Sequence, residues 1–410
     1  MPPRGTRDVL PPEARIREHI TSTARHIFES YGYGRIQTPT FEETDVFVRG
    51  VGTSTDIVRK EMYTFRDGSD RSLTLRPEGT APVARAFVEH GMHKLQLPVK
   101  LWYLASMFRY EAPQAGRYRE HTQLGVEALG SDDPLVDVEV IAMLHDLYTT
   151  LGVGGLTLQV SSMGDAQSRS AYRPLLMAYL EAHVDVLGPD ERERMRDNPL
   201  RLFDSKNPAV RELMARAPKI VDHLGEEAAT HHARVRAGLD ALGIAYVDDA
   251  TLVRGFDYYT HTVFEFACDL LGAQSAVGGG GRYNGLIEEL GGQPTPGVGF
   301  GTGIERITLA LEGTATPERA LDCYIAIPDQ DLRVTLLPLV HTLRAAGLRC
   351  ETDLRGRSLK AMMRHASSLG VATCVIIGSR EYDAGIAAVR DMTTGDQREV
   401  PLDKLLESLQ

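Results

Sequence analysis

The chain has 410 residues, of which 42% are hydrophobic and 25% charged, a composition typical of a globular protein with two or three domains. Its net charge of −11 excludes a protein that coats nucleic acid non-specifically, although a local basic surface remains compatible with it. The sequence contains no long apolar run and no apolar segment near its start, so we expect neither a membrane span nor a secretory signal. Four scattered cysteines are typical of small buried residues in a reducing cytosol, so a cytoplasmic location is expected.

The first part of the chain predicts a helix, a strand–helix unit and an antiparallel hairpin. Apolar residues recur at helical spacing over 12–31, which predicts a helix. Residues 70–90 change from a strand pattern to a helical one. Residues 99–111 alternate between apolar and polar side chains, and a polar loop and a second strand-like segment over 122–130 follow them. Two such segments joined by a polar loop predict an antiparallel hairpin.

The pattern changes twice in the rest of the chain. Residues 166–243 are charged and almost wholly helical in pattern, which predicts a helical insertion domain between two halves of a sheet. Residues 252–265, LVRGFDYYTHTVFE, are interpreted as a buried strand because Val, Phe, Tyr and Thr favour strands. From residue 321 strands alternate with helices, which predicts an α/β domain with parallel pairing. We therefore predict an α+β domain on an antiparallel sheet over 1–320 and an α/β domain over 321–410.

Three arginines lie in or beside glycine-punctuated strand segments: Arg109, Arg254 and Arg306. A guanidinium stays charged when it is desolvated, and its planar fork matches a phosphate. Arg109 alone is equally compatible with ordinary salt bridges, and neither GGGGRYNG nor GFGTGIERI has the spacing of a P-loop or a dinucleotide fingerprint. Taken together, the three arginines indicate one polyanionic substrate held on an antiparallel sheet.

Carboxylates and phenols near the same segments favour a cationic or hydrogen-bonding small molecule as a second ligand. These side chains are Glu78, Glu127, Asp257, Tyr258, Tyr259 and Tyr283. No Cys–His or Ser–His–Asp arrangement is evident in the sequence, so covalent catalysis has little support. Positioning and charge stabilisation fit better, as in phosphoryl and nucleotidyl transfer.

A basic segment lies near the end of the acidic chain. Residues 344–364 carry six basic side chains and two acidic ones, a net charge of +4. By charge alone this segment is either a solvated helix face or a surface that contacts nucleic acid.

Together these segments resemble those of the class II aminoacyl-tRNA synthetases, and specifically those of the histidyl-tRNA synthetase family. TPTFEETDVF, FRYEAPQAGRYRE and GFGTGIERI are similar to the three motifs of the class, and LVRGFDYYTHTVFE and AVGGGGRYNGL to two blocks particular to the family. TLRPEGTAPVARA and NPLRLFDSKNP are further matches, so the resemblance covers nearly the whole chain. It implies a class II catalytic core on an antiparallel sheet, a helical insertion that clasps the tRNA acceptor stem, and a C-terminal α/β anticodon-binding domain. It also implies a homodimer, because the first motif forms the dimer interface of the class.

The resemblance implies that the chain joins L-histidine to tRNA(His) through a histidyl-adenylate. ATP is then a substrate with Mg²⁺ on its phosphates, and no dedicated metal site is expected in the protein. The implied catalytic residues are Arg254, at the α-phosphate and the histidine carboxylate, Arg109 at the α-phosphate, Arg306 at the γ-phosphate, and Glu78. The implied histidine-binding residues are Glu78, Thr80, Gln123, Glu127, Tyr259 and Tyr283, and the implied ATP-binding residues are Arg109, Arg117, His121 and Arg306.

The resemblance also implies contacts with tRNA. Gln114 would approach the acceptor end, and Arg355 and Arg357 in the basic segment would contact the anticodon stem. One position departs from the family, which commonly has a phenylalanine stacked on adenine where this chain has His121. An imidazole stacks more weakly and with a dependence on pH.

Four further residues are expected to have no role in substrate binding or catalysis. Tyr258 and Phe264 would lie in the core, on the opposite face of the strand from Tyr259. His231 and His232 would be exposed on a helix of the insertion.

Two alternatives to the ligase remain. A paralogue of the family serves as a regulatory subunit of ATP phosphoribosyltransferase, and it usually lacks the C-terminal domain and the arginines that bind ATP. The second is a generic nucleotide-binding enzyme with an incidental α/β tail. This chain has Arg109, Arg254, Arg306 and a C-terminal α/β pattern, which favours the ligase.

Overall fold

The computed structural model describes residues 1–52, 55–112, 116–253, 255–272, 275–311 and 321–410. The chain divides into two compact units, Met1–Ala315 and Thr316–Gln410. Two of the residues predicted to contact substrates, Gln114 and Arg254, lie outside the described residues.

The first unit combines helices with two sheets. Its helices are α1 (Pro11–Ser30), α2 (Thr44–Val51), α3 (Thr80–Glu89), α4 (Pro134–Leu151), α5 (Ala166–Glu181), α6 (Pro189–Asp197), α7 (Pro208–Arg216), α8 (Glu226–Ala241), α9 (Leu286–Glu289) and α10 (Ile304–Ala310). Its strands are β1 (Gly34–Arg35), β2 (Phe41–Glu43), β3 (Tyr63–Arg66), β4 (Ser72–Leu75), β5 (Val99–Phe108), β6 (Glu120–Leu129), β7 (Leu156–Ser162), β8 (Val247–Asp248), β9 (Thr260–Cys268), β10 (Ala276–Arg282) and β11 (Gly297–Gly303). None of the helices in the described ranges is long and apolar enough to cross a lipid bilayer.

The large sheet has the strand order β1-β5-β6-β11-β10-β9-β7-β8. All of its inner pairs are antiparallel, and only the edge pairs β1–β5 and β7–β8 are parallel. The predicted hairpin is present as β5 and β6, with Val99 opposite Leu129 and Phe108 opposite Glu120. The prediction of an α+β domain on an antiparallel sheet is therefore confirmed.

The two faces of this sheet differ because side chains alternate along a strand. Trp102, Val126, Phe264 and Phe300 point to one face, where they are buried against helices α1 and α4. Helix α4 begins at an Asp133 cap that accepts a hydrogen bond from the N–H of Leu135 (3.0 Å), which pairs one of the backbone donors that the first turn of a helix leaves without an intrahelical partner. The core thus occupies one face of the sheet, and the opposite face is left for other contacts.

The second unit contains helices α11 (Gln330–Ala345), α12 (Leu359–Ser368), α13 (Ser379–Asp383) and α14 (Leu405–Leu409). Its strands β12 (Cys323–Ala326), β13 (Cys350–Thr352), β14 (Thr373–Ile376), β15 (Ile386–Asp391) and β16 (Gln397–Pro401) form one sheet in the order β13-β12-β14-β15-β16. The predicted parallel pairing holds for β12 with β13 and β14, whereas β15 and β16 are antiparallel. The chain between β14 and β15 holds only the five-residue α13, which is too short for a parallel crossover.

The interpretation of residues 252–265 as one strand is wrong in its first half. Strand β9 begins at Thr260, and the chain turns at residues 257–258. Asp257 accepts hydrogen bonds from the side chains of Asn198 (2.8 Å) and Arg201 (2.9 Å), which come from the insertion. A carboxylate that must meet partners outside the sheet draws this segment away from the strand ladder.

The expectation that His231 and His232 are exposed is also wrong. Both are buried, because α8 packs against α4 and the sheet. Nε2 of His231 lies 3.2 Å from the hydroxyl of Thr262, and Nε2 of His232 lies 3.3 Å from a carboxylate oxygen of Asp248.

A buried ion pair joins β10 to α4. Arg282 and Asp137 are both fully buried, and Nε of Arg282 lies 3.1 Å from each carboxylate oxygen of Asp137. Arg282 also donates to the carbonyl of Ser131 (2.7 Å). Burial alone would raise the pKa of Asp137, but the hydrogen bond with His231 and the charge of Arg282 bring that pKa below its ordinary value.

Replacing Arg282 should lower the stability of the first unit. Arg282→Ala leaves a carboxylate buried without its cation, so we expect the free energy of unfolding to fall by about 3–5 kcal/mol. Urea denaturation followed by circular dichroism measures this change. Arg66→Ala is the matched control, since it removes an exposed partner of Asp70 and should cost at most about 1 kcal/mol. Equal effects of the two substitutions would contradict the importance assigned to the buried pair.

Candidate functional site

A cavity of about 220 Å³ opens on the face of the large sheet opposite the core. Its carboxylate and phenol side comprises Glu78, Thr80, Gln123, Tyr258, Tyr259 and Tyr283. Its basic side comprises Arg109, Arg117, His121 and Arg306, with Glu111 and Glu305 beside them. The described residues predicted to bind histidine or ATP therefore converge here, with Glu127 immediately behind them, whereas the candidate carboxylate Asp257 does not line the cavity.

Glycines on β11 make room for this cavity. The strand reads GVGFGTG, so glycine alternates with residues that face the core. A Cβ atom on Gly299 would lie 2.1 Å from Oε2 of Glu127, one on Gly301 2.5 Å from Nε2 of Gln123, and one on Gly297 2.3 Å from the ring of Tyr283. The site face of this strand is thus kept free of side chains, and the side chains of neighbouring strands fill part of the space.

Glu78 is held at the start of helix α3. Its carboxylate accepts from the backbone N–H groups of Thr80 (2.7 Å) and Ala81 (2.9 Å). Burial raises the pKa of Glu78, while these two hydrogen bonds and the charge of Arg109 act in the opposite direction. The helix start favours the carboxylate and presents it to the cavity, where it suits a cationic group.

Glu127 lies at the centre of a network of hydroxyl groups. Thr80 donates to its Oε1 (2.8 Å), and the phenol of Tyr283 donates to its Oε2. Burial raises the pKa of Glu127 to about 8. Thr80 and Tyr283 line the cavity, whereas Glu127 lies behind them. A ligand in the cavity would therefore reach the carboxyl group of Glu127 through these two side chains or beside them.

Tyr103 belongs to the same network although sequence reasoning missed it. Gln123 donates to its hydroxyl through Nε2 (3.0 Å), and that hydroxyl lies 3.5 Å from Oε1 of Glu127. The ring fills space above Gly79 and Gly125, where any Cβ would lie about 2.3 Å from it. In the sequence, these two glycines, one in RPEGT and one on β6, indicate that something packs closely against the backbone. Only the fold shows that it is the ring of Tyr103.

Aromatic rings from the turn before β9 form one wall of the cavity. Tyr258 lies 4.7 Å from Tyr259 and 5.6 Å from Tyr283, measured between ring centroids, and Phe256 stacks on Tyr258 at 5.0 Å. Tyr258 is buried in a hydrophobic cluster, as expected of a core residue, but the expectation that it faces away from Tyr259 is wrong because strand alternation does not apply in a turn. Phe264, inside β9, lies in the core as expected.

The basic side brings three arginines close together. Arg109, at the end of β5, donates through Nε to the carbonyl of Pro77 (2.8 Å). Arg306, in the first turn of α10, donates through Nε to the carbonyl of Ala276, and burial together with the charge of Arg117 lowers its pKa. Arg117 lies 3.7 Å from Glu111. This concentration of guanidinium groups is suited to a phosphate chain.

His121 is neutral in this environment. Burial, and then the positive charge of Arg109, lower the pKa of its imidazole to about 3. The dependence on pH that was expected of an imidazole at this position is therefore absent near neutral pH.

The two C-terminal arginines predicted to contact tRNA differ in their surroundings. Arg355 is exposed, whereas Arg357 donates to the carboxylate of Asp353 through its Nε and through its backbone N–H (2.8 Å). Arg349, in the same basic segment, is paired with Asp322 at 2.8 Å. Part of the positive charge of residues 344–364 is thus balanced within the unit.

The described ranges contain acidic, histidine and cysteine side chains in both units. No group of three or more His, Cys, Asp or Glu side chains there is arranged to hold a metal ion.

Comparisons with known proteins agree over both units. The family model described as histidyl-tRNA synthetase matches residues 5–170 and 181–307, and that described as anticodon binding domain matches residues 322–410. The histidine–tRNA ligase of Rubrobacter xylanophilus is 50% identical over 407 residues, covering 97% of this chain and 96% of that protein. The histidine–tRNA ligase of Geobacillus kaustophilus is 47% identical over 413 residues, covering 99% of this chain and 97% of that protein.

Solved structures show the same relationship. Apo S. aureus histidyl-tRNA synthetase has a TM-score of 0.84 and 38% identity, covering 100% of this chain and 99% of that chain. A Bacillus halodurans structure described as an ATP phosphoribosyltransferase regulatory subunit/histidyl-tRNA synthetase has a TM-score of 0.66 and 25% identity, covering 92% and 97%. Since the family model matches most of the chain and both relatives align over nearly its full length, the chain belongs to the histidyl-tRNA synthetase family of class II aminoacyl-tRNA synthetases.

Proposed function

We propose that this chain ligates L-histidine to tRNA(His) in an ATP-dependent reaction that passes through histidyl-adenylate. The observation that carries this proposal is a single cavity that joins a carboxylate and phenol pocket to a cluster of arginines. The first part suits an amino acid with an imidazole, and the second suits a triphosphate.

The carboxylate and phenol pocket would bind histidine. The carboxylate of Glu78 and the hydroxyl of Thr80 accept from the α-ammonium group, and Gln123 lies on the same side. Glu127 accepts from an imidazole N–H, with Tyr259 and Tyr283 bordering the ring. An amino acid without these ring nitrogens would leave buried polar groups unpaired, which is how a polar site rejects analogues.

The arginines would stabilise the transition state of adenylate formation. A carboxylate oxygen of histidine attacks the α-phosphorus of ATP, and the bond from this phosphorus to the bridging oxygen breaks, so pyrophosphate leaves. Arg109 and Arg254 act at the α-phosphate, Arg306 at the γ-phosphate, and Arg117 beside the phosphate chain. Fixed cations that need no reorganisation lower the energy of the charge that develops there.

Mg²⁺ would accompany the phosphates of ATP. The carboxylates of Glu111 and Glu305 line the basic side of the cavity and offer the oxygen donors that this ion prefers. Bound there, Mg²⁺ would neutralise phosphate charge.

The imidazole of His121 would stack on the adenine. It lines the cavity beside Arg109 and Arg117, and its low pKa keeps it uncharged. A neutral ring avoids placing another cation beside the arginines.

The remaining parts would serve tRNA and assembly. Residues 1–320 form the catalytic core with the insertion at 166–243, and residues 321–410 form the anticodon-binding domain, with Arg355 and Arg357 at the anticodon stem. Gln114 would meet the acceptor end, where the 3′-hydroxyl of the terminal ribose attacks the carboxyl carbon of the adenylate and the bond from this carbon to the phosphate oxygen breaks, so AMP leaves. We propose a homodimer in the cytoplasm, where charged tRNA is used.

The regulatory-subunit alternative has weaker support. The Bacillus halodurans structure carries both descriptions, so overall fold does not discriminate between them. The arginines at the cavity and the match to an anticodon-binding domain favour the ligase, because a subunit that only senses histidine needs neither.

Exchange of pyrophosphate into ATP tests the proposal directly. All twenty amino acids are assayed in parallel with the purified chain, and we expect exchange with histidine alone. Transfer of labelled histidine to tRNA(His) then tests the second step. Histidine binding without exchange for any amino acid would transfer support to the regulatory subunit.

Gly299→Ala should damage the histidine pocket. The new Cβ would meet the carboxylate of Glu127, so we expect kcat/KM for histidine in the exchange reaction to fall about 100-fold or more. Gly154→Ala is the matched control, because nothing lies within 4 Å of the added methyl group. Thermal melting of both variants shows whether each is folded. A folded Gly299→Ala enzyme that matches the control would refute the close packing described here.

His121→Phe should stabilise the protein at acidic pH. A histidine in the unfolded chain titrates near pH 6.5, whereas folded His121 titrates near 3. Below pH 6.5 the unfolded state therefore binds a proton that the folded state does not, and wild-type stability falls. From pH 7.5 to pH 5, the advantage of the variant in free energy of unfolding should grow by up to about 2 kcal/mol.

Urea denaturation at several pH values measures this advantage. His341→Phe, which replaces an exposed histidine on α11, is the control. A constant difference between His121→Phe and wild type across this pH range would contradict the low pKa.

A further inference from the structure

The insertion reaches into the turn that carries the aromatic wall of the cavity. After α6 the insertion forms a short 3₁₀ helix, Pro199–Asp204, capped by Asn198, whose Oδ1 accepts from the N–H of Leu200 (3.2 Å). The other side-chain atom of Asn198, Nδ2, donates to Oδ1 of Asp257 (2.8 Å). One asparagine thus caps the insertion's helix and holds the turn at once.

Arg201 holds the same carboxylate oxygen from a second direction. Its Nε and Nη2 lie 3.2 Å and 2.9 Å from Oδ1 of Asp257, and Nη2 also lies 3.4 Å from the carbonyl of Gly255. Both charged side chains are largely buried, with 17% and 26% of their surface exposed, which makes this pair stronger than a solvated surface contact.

Two further contacts extend the link between the insertion and the site. Arg169, in α5, donates to the backbone carbonyl of Tyr259 (3.2 Å). Leu200 packs against both the core of the insertion and the hydrophobic cluster that contains Tyr258 and Tyr259. The position of the turn therefore depends on the insertion at several points.

The side chains of the turn are supported by packing against buried residues, not by the hydrogen bonds of the sheet. Residues 255–259 precede β9 and lie outside the strand ladder, so sheet hydrogen bonds do not determine where they point. Yet Phe256, Tyr258 and Tyr259 all line the cavity, and the guanidinium of Arg109 lies 5.8 Å from the ring of Phe256. A small displacement of the turn would move three cavity residues together.

We infer that Asn198 and Arg201 are positioning residues for histidyl-adenylate formation, acting through Asp257. Neither residue lines the cavity, but both hold the aromatic wall in the place that the reacting groups require. This inference rests on the proposed function. It also makes the insertion part of the machinery of the first step, in addition to any contact it makes with tRNA.

Arg201→Ala should lower kcat of histidine-dependent pyrophosphate exchange by about 10- to 100-fold, because small errors of position are costly in catalysis. We expect the KM for ATP to change by less than about threefold, since the substitution leaves Arg109, Arg117 and Arg306 in place at the cavity. Arg201→Lys, which keeps the charge but not the forked geometry, should restore part of the activity. The combined Arg201→Ala and Asp257→Ala variant should be little worse than Asp257→Ala alone, because that change already removes the contact with Arg201.

Arg59→Ala is the matched control. Arg59 lies on a turn of the catalytic core at Ile57–Glu61 and pairs with Glu193 (2.7 Å) and Asp197 (3.4 Å) of the insertion, but it does not touch residues 255–259. The substitution Arg59→Ala removes an arginine–carboxylate link between the catalytic core and the insertion. It should keep the rate of pyrophosphate exchange within about twofold of wild type. Thermal melting of each variant reports folding independently of activity.

The possible results of these experiments distinguish the proposed function from the positioning role. A wild-type chain without histidine-dependent exchange would overturn the proposed function itself. An active wild type with a folded Arg201→Ala variant of normal kcat, or with equal losses in Arg201→Ala and Arg59→Ala, would overturn only the positioning role. If Arg201→Ala does not fold, Asn198→Ala provides the test, with a smaller fall in kcat expected and an unchanged kcat contradicting the inference.

Discussion

The central constraint on this molecule is that one sheet must carry a hydrophobic core on one face and a polar cavity on the other. Side-chain alternation makes this possible, but only if the second face is cleared where the ligand lies. On β11 glycines clear it, while Val298 and Phe300 between them anchor the same strand in the core. The geometry of the site and the stability of the sheet therefore depend on the same short strand.

The cavity face of the sheet also carries two carboxyl groups that are buried in the protein, and burial disfavours their charged forms. Glu78 and Glu127 are both buried, and each is stabilised differently. Glu78 has two backbone N–H groups at a helix start, whereas Glu127 has hydroxyl donors, and burial raises the pKa of both carboxyl groups. One carboxyl is thus prepared to meet a cation, and the other to share hydrogen bonds with a neutral ring.

Much of this arrangement follows from the sequence, and the remainder depends on long-range contacts. The hairpin, the helices between β7 and β8, and the convergence of Arg109 and Arg306 could be predicted from local pattern and from the family's motifs. The departure from strand at residues 255–259 could not, because its cause is a pair of side chains more than fifty residues away in the chain. The direction of Tyr258 relative to Tyr259 was mispredicted for the same reason, since it followed from that strand assignment.

Buried polar residues were the other limit of sequence reasoning. His231 and His232 read as surface residues of a charged helix, and only their partners across the fold, Thr262 and Asp248, account for their burial. The sequence pattern did not single out Arg282, which follows four glycines in GGGGRYNG, although it forms the fully buried ion pair with Asp137. Arg254 lies outside the residues that the structure describes, so its place still rests on the motif alone.

The neighbouring residues Arg282 and Tyr283 have a further consequence. The arginine points to the core side, where it meets Asp137, and the tyrosine points to the cavity, where it meets Glu127. A shift of strand β10 by one residue would exchange the two faces, placing a phenol against the buried carboxylate of Asp137 and a guanidinium in the cavity. An insertion or deletion of one residue in this strand would therefore remove stability and substrate recognition in one event, so this short segment should tolerate changes of side chain far better than changes of length.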